Sequence, residues 1–218
     1  MITQLFDKNV FKVISLFSLS PGSRFRRNEI QHRVKLNNIP LDRALTILTD
    51  AGILHRKNNL YELHFHNPYT TKIIEIALYQ YRECKEIPFD VYLLLQDAES
   101  ALSLSKTKIT DGYLFGSYAK LIYTSDSDVD LAVIVPGSLD DKTSDRRVFD
   151  RIAEKLEQKY NKRVEMHIFE KESFYRNKRD PLVADILRNG IRFAGKEEVT
   201  RNQEFRETAY EMNVSGAV

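Results

Sequence analysis

Gly116-Ser117-Tyr118-Ala119-Lys120, followed by Ser127-Asp128-Val129-Asp130-Leu131-Ala132-Val133-Ile134-Val135, is the stretch on which the reading of this chain turns. Tyr113-Leu114-Phe115 before it is a short apolar strand after the Thr110-Asp111-Gly112 turn. A Gly-Ser turn comes next, and then a second strand over 129–135, closed by Pro136-Gly137. A glycine at a strand-to-helix turn lets backbone approach a phosphate closely, and N–H groups at a helix start suit phosphate oxygens. Side chains two apart on a strand share a face, so Asp128 and Asp130 project together while Val129 and Leu131 turn to the core. Two such carboxylates are costly to hold close without a cation, and a hard oxygen site suits Mg²⁺ or Mn²⁺.

The flanking sequence extends this unit. Apolar residues at 148, 152, 156 and 160 predict a helix over 143–160. Arg163 to Phe169 reads as a third strand, with Val164, Met166 and Ile168 facing in and Glu165 and His167 facing the other way. If it lies beside the Asp strand, Glu165 reaches the same metals, and three carboxylates can hold two ions. A last helix fits Pro181 to Asn189, ended by Gly190. Strands alternating with helices predict an α/β (α+β) unit with a small mixed sheet flanked by helices over 107–197. His167 reads as a partly exposed strand residue. The tail, 198–218, is polar, with one short helix over Phe205 to Met212.

The front of the chain differs in charge. Residues 1–66 carry ten Lys/Arg and five Asp/Glu, a net +5, whereas the remaining 152 carry 23 and 26. Three helices are predicted there: 9–19, stopped by Pro21-Gly22; Arg27 to Val34; and Pro40 to Ala51, with Leu41, Ala44, Leu45 and Leu48 on one stripe. Two short strands follow around Arg56-Lys57-Asn58-Asn59. This resembles a winged helix-turn-helix. The resemblance implies DNA binding through residues 1–66. The third helix would enter a major groove with Asn38, Asp42, Arg43 and Thr46, and Arg24, Arg26, Arg27, Arg56 and Lys57 would contact phosphate. A homodimer is the expected state, because such proteins often read paired half-sites. The competing reading is a protein-protein module with a solvated basic face.

Residues 67–106 predict two connecting helices broken at Pro88. The first has a stripe of Ile73, Ile76, Ala77 and Gln80. The second, Phe89 to Leu104, has so little polar face that it is buried on more than one side, between the domains or at a dimer contact. His55, His64 and His66 lack the spacing and companions of a metal site. The single cysteine, Cys84, excludes an intrachain disulfide and is given no role. No run of about 18 apolar residues exists, and no membrane span or signal peptide is expected, so a cytoplasmic protein is.

The Gly116 to Leu131 segment resembles the nucleotidyltransferase superfamily of the DNA polymerase β type, in its minimal, kanamycin-nucleotidyltransferase-like branch. That pattern is Gly-Ser-x-Ala-Arg-Gly, five residues, then Ser-Asp-hydrophobic-Asp-Leu, with a later hydrophobic-Asp/Glu-hydrophobic strand. Gly116, Ser117, Ala119, Ser127, Asp128, Asp130 and Leu131 match it, and so does Val164-Glu165-Met166. The resemblance implies that Asp128, Asp130 and Glu165 hold Mg²⁺ or Mn²⁺ and act in catalysis. It also implies that Gly116 and Ser117, with Lys120 and Ser127, bind a nucleoside triphosphate, expected to be ATP. An acceptor hydroxyl then attacks the α-phosphorus and pyrophosphate leaves. Small members of the family resemble antitoxins that adenylylate a partner toxin, which makes a protein one candidate acceptor. Lys120 replaces the pattern's Arg, and Leu121 replaces its second Gly, predicting a tighter turn or a longer helix. The alternative function is a DNA-binding regulator whose back domain senses nucleotide and transfers little.

Overall fold

The computed structural model describes residues 7–105, 107–137 and 144–195; the expected tail helix lies outside them. The front part runs α1 (Lys8–Leu19), β1 (Phe25–Arg26), α2 (Arg27–Val34), α3 (Asn38–Asp50), β2 (Leu54–Lys57) and β3 (Leu60–Leu63). The three strands form an antiparallel sheet in the order β1-β3-β2. Asp7 starts α1 by accepting hydrogen bonds from the Asn9 and Val10 amides. Gly52 takes φ +67 just past α3, and Asn58 and Asn59 take φ 52 and 63 between β2 and β3. Two left-handed residues in a two-residue loop match the twist of a hairpin, and Asn tolerates that conformation better than most residues. β1 was not expected. Two residues carry no periodicity, and its pairing of Phe25 with Tyr61 is made across the fold.

Two helices follow, α4 (Pro68–Glu83) and α5 (Phe89–Leu104). The buried seam of α4 is Thr70, Ile74, Ala77 and Gln80. Ile76 is exposed instead, correcting the expected stripe by a rotation of part of a turn. α5 is buried nearly all round, with Val91 to Leu95 all inaccessible. It packs on the helix over Ser144–Tyr160 and the strand over Ile191–Gly195 on one side and on α1 and α2 on the other, and Phe89 touches both main cores. Cys84 is also buried, at the end of α4. Burial pushes its thiol up to about 12, away from reactivity.

The back part contains β4 (Asp111–Phe115), α6 (Gly116–Ala119), β5 (Val129–Val135), α7 (Ser144–Tyr160), β6 (Val164–Glu170), α8 (Lys171–Arg176), α9 (Pro181–Asn189) and β7 (Ile191–Gly195). The sheet is mixed, in the order β6-β5-β4-β7. Only β5 and β6 are parallel, as expected of two strands joined by a crossover helix. Val129, Leu131, Val133 and Val135 face the core shared with α5 and α7. The opposite face is covered over most of its length along β5. Ala132 and Ile134 are buried there under Phe174 of α8 and Val183 and Ile186 of α9. On β5 itself, Asp130 at the N-terminal end is the residue of that face that stays accessible. No described helix is long and apolar enough to cross a membrane.

Candidate active site

The site is built at the end of β4 and the start of β5 and β6. Parallel pairing sets Asp130 opposite Glu165 and Ala132 opposite His167. The antiparallel neighbour sets Phe115 opposite Asp130. Strand alternation therefore brings Asp130, Glu165 and His167 onto one face. Each offers a ligand atom within 4.8 Å of the others. The His167 ring stands edge-on to Phe115, with centroids 5.2 Å apart.

Asp128 lies just before β5, close enough for its charge to act on Asp130. Its own Oδ2 faces Arg163 Nη1 at 3.5 Å, and Arg163 Nη2 is 2.9 Å from Glu165 Oε1. Arg163 thus spans two of the three expected carboxylates, a role the sequence reading did not single out. Burial, then the charge of Glu165, pushes the Asp130 carboxyl above its ordinary range; His167 opposes the shift and Asp128 adds to it. Arg163 offsets part of this negative charge from one side, and the oxygens of Asp130 and Glu165 fit a divalent cation.

Gly116 adopts φ +67. A Cβ there would overlap the Asp130 carboxylate. This glycine thus makes room for a carboxylate, besides any approach to phosphate. α6 spans four residues and closes with the Leu121 N–H donating to Tyr118 O and the Ile122 N–H to Ser117 O. Leu121 sits at φ 59. These bonds form a Schellman motif, whose left-handed position normally holds glycine. Leu121 thus takes the conformation that the pattern's glycine would favour.

The remaining expected residues are engaged in the fold. Lys120 is ion-paired with Asp185 of α9 at 2.8 Å, so its ammonium is shared with the scaffold. Ser127 accepts a hydrogen bond from the Thr124 amide at 2.8 Å, closing the loop before β5. Tyr118 braces the same loop by stacking on Tyr123 at 4.7 Å, and it accepts a hydrogen bond from Lys162 Nζ. Lys85 Nζ donates to the carbonyls of Ala119 and Asn189, tying α6 to α9.

In the front part, Arg27 is bound by Asp42 and Asn38 of α3, and Arg24 by Glu62. Arg56 lies over the Tyr61 ring and donates to Asn59. Three of the expected phosphate contacts thus have protein partners. A cleft of about 440 Å³ between α3 and the hairpin is lined by Asp42, Thr46, His55, Arg56 and Tyr61 among others. It lies away from the carboxylate face. His55 pairs with Glu62 at 2.7 Å, and the histidine trio forms no ligand group among the described residues.

Three comparisons bear on this site. The family model described as a nucleotidyltransferase domain matches residues 98–193. No curated protein matches the chain. Among solved structures, a mutant of the toxin-antitoxin MntA-HpeT is 16% identical, with 57% of this chain and 98% of that one covered at a TM-score of 0.36. A toxin-antitoxin with AMP-PNP is 18% identical with the same coverage and TM-score. A second MntA-HpeT mutant is 21% identical, covering 53% and 88%, at 0.32. Residues 98–193 contain β4, β5, β6 and the side chains of the carboxylate face, and their match supports placing this part of the chain in the nucleotidyltransferase superfamily.

Proposed function

We propose that residues 107–197 transfer a nucleoside monophosphate from a nucleoside triphosphate, ATP first among candidates, to an acceptor hydroxyl. The observation that carries this reading is the convergence of Asp130 and Glu165 on adjacent parallel strands, beside the Gly116 turn. Asp128, Asp130 and Glu165 would hold Mg²⁺ or Mn²⁺, which when bound screens the phosphate charge and polarises the reacting oxygens. The N–H groups of Gly116 and Ser117 and the Ser117 hydroxyl hold the β- and γ-phosphates. Ser127 fixes the loop that presents Asp128. Lys120 supports α6 through Asp185 and adds its charge at longer range. Glu165 would receive the acceptor proton as the acceptor oxygen attacks the α-phosphorus, with pyrophosphate leaving in line.

Residues 1–66 are read as a winged helix-turn-helix that binds DNA as a homodimer, joined by connecting helices over 67–106. The order α1-β1-α2-α3-β2-β3 and the +5 charge support this. Arg43 and Thr46 are exposed on α3, and Lys57 is exposed on the hairpin. A partner protein is the acceptor that the similarity to toxin-antitoxin chains brings to mind, and a cytoplasmic setting suits both activities. One observation favours the second reading, a nucleotide-sensing regulator of low transfer activity: Arg163 already pairs with Asp128 and Glu165 and would compete with a metal for them.

The test is incubation with α-labelled nucleoside triphosphates and divalent metal, with and without cell extract, beside the Asp128→Ala/Asp130→Ala double variant. Label that reaches an acceptor only with the parent protein is the expected result. No transfer, together with salt-dependent DNA retention, favours the regulator.

A further inference from the structure

We propose that His167 is a protein ligand of the ion held by Asp130 and Glu165, and that it makes this position selective for a transition-series ion such as Mn²⁺ over Mg²⁺. The proposal rests on the transferase reading for its setting and deepens it by naming the ion.

The geometry divides the carboxylates. Arg163 takes Asp128 and one oxygen of Glu165, Oε1. The other oxygen, Oε2, faces His167 Nε2 at 3.7 Å. That separation is long for a strong hydrogen bond and short enough for both atoms to share one ion. Asp130 completes the group of three, and Asp128 lies outside it. The imidazole is held for this task. Phe115 braces its ring from the side, and the residue opposite it on β5 is the small Ala132. The ring is still about two-fifths exposed, so an ion and its waters can reach it.

The chemistry of the donors sets the preference. Mg²⁺ favours oxygen ligands, requires near-ideal octahedral geometry and sheds water reluctantly. An imidazole nitrogen adds affinity for ions of the transition series, with two carboxylates keeping the site hard enough for Mn²⁺. A site of carboxylates alone would not discriminate in this way.

The experiment titrates the full-length protein with Mn²⁺, reading free ion by electron paramagnetic resonance, and repeats the titration with Mg²⁺ as competitor. His167→Ala, His167→Asp and Glu165→Gln are compared, with circular dichroism confirming the fold. His167→Ala is expected to weaken Mn²⁺ binding by about tenfold or more and Mg²⁺ binding by less than about threefold. His167→Asp is expected to raise Mg²⁺ affinity relative to Mn²⁺. Glu165→Gln weakens both. Equal Mn²⁺ affinity in the parent and in folded His167→Ala overturns the assignment, as does an unchanged metal preference in His167→Asp. The two readings separate. Mn²⁺ selectivity that depends on His167, in a protein that transfers no nucleotide, supports this assignment and strikes the transferase alone. Nucleotide transfer with the same Mn²⁺ affinity in parent and His167→Ala strikes this assignment alone.

Discussion

Asp130 places its carboxylate in the space that a side chain at position 116 would fill, so Gly116 is tied to the site by volume as well as by its φ of +67. Gly116→Ala combines a left-handed alanine with a collision against Asp130. The first alone costs about 1–2 kcal/mol. The second is relieved only by turning Asp130 away from Glu165. The expected outcome is an unfolding free energy, measured in urea, lower by about that amount and nucleotide transfer reduced by at least about tenfold, since small misplacements at a reacting centre are expensive. A variant that loses stability but keeps full transfer would show that Asp130 can be moved without consequence.

Leu121 is a second left-handed position, and here the natural residue is the unfavourable one. It follows α6 as the left-handed residue of a Schellman turn, at φ 59, and is 52% exposed. Little packing is lost on truncation. Relief of the left-handed strain is partly offset by the greater freedom of glycine in the unfolded chain. Leu121→Gly is expected to stabilise the protein by about 0.5–1 kcal/mol, visible as a rise of a few degrees in Tm. A fall in Tm would mean that the Leu121 side chain packs more than its exposure indicates.

Lys120 stands where the family pattern has arginine, but its ammonium is 2.8 Å from Asp185. The same contact, with Asn189, holds the Asp185 carboxyl below its ordinary value. Lys120 is therefore expected to contribute more to the α6–α9 contact than to nucleotide affinity. Lys120→Met should raise the Kd for ATP by less than about threefold, on the scale of an exposed charge pair. Equilibrium binding with a fluorescent ATP analogue checks this. A loss of tenfold or more would return Lys120 to the phosphate-binding group.

What could be read in the sequence was what local pattern controls. β5 is apolar but for Asp130, α5 shows almost no polar face, and the two strands around Arg56-Lys57-Asn58-Asn59 were legible, although Arg56 and Lys57 belong to β2 and the loop itself is Asn58-Asn59 alone. β7 did not, because Ile191–Gly195 is a short edge strand defined by its pairing with β4. The burial of Ala132 and Ile134 depends on α8 and α9 folding over the sheet. The same division applies at the site. Alternation put Glu165 and His167 on one face, yet only the parallel register with β5 brings them to Asp130. Arg163 was invisible as a site residue because its two partners come from different strand ends, and Arg27 was read as a phosphate contact because its partner Asp42 is fifteen residues away.

The two halves of the molecule meet at a buried cluster of charge, which yields a prediction about pH. Asp97 of α5 lies 2.7 Å from Lys12 of α1 and 2.7 Å from Lys159 of α7, accepts a hydrogen bond from the Tyr160 hydroxyl, and has Lys8 at 3.3 Å. Lys12 is fully inaccessible. Burial lowers its ammonium to about 7; Asp97 opposes this, and Lys159 and Lys8 reinforce it. Asp97 is itself buried, but the lysines around it hold its carboxyl well below the ordinary value. Removing Asp97 leaves three cations together without a counter-charge, so Asp97→Asn should cost about 3–5 kcal/mol. Lys12 gives the sign on the alkaline side. Above pH 7 the folded protein sheds a proton that the unfolded chain keeps until its ordinary value of 10.5. The unfolded state then binds more protons, so this residue makes stability rise with pH across that window. Urea unfolding of the parent and of Lys12→Met at pH 7, 8, 9 and 10 isolates the effect, since other groups titrate alike in both. The parent should gain on the variant steadily from pH 7 to 10; a constant difference would mean that Lys12 keeps its proton in the fold.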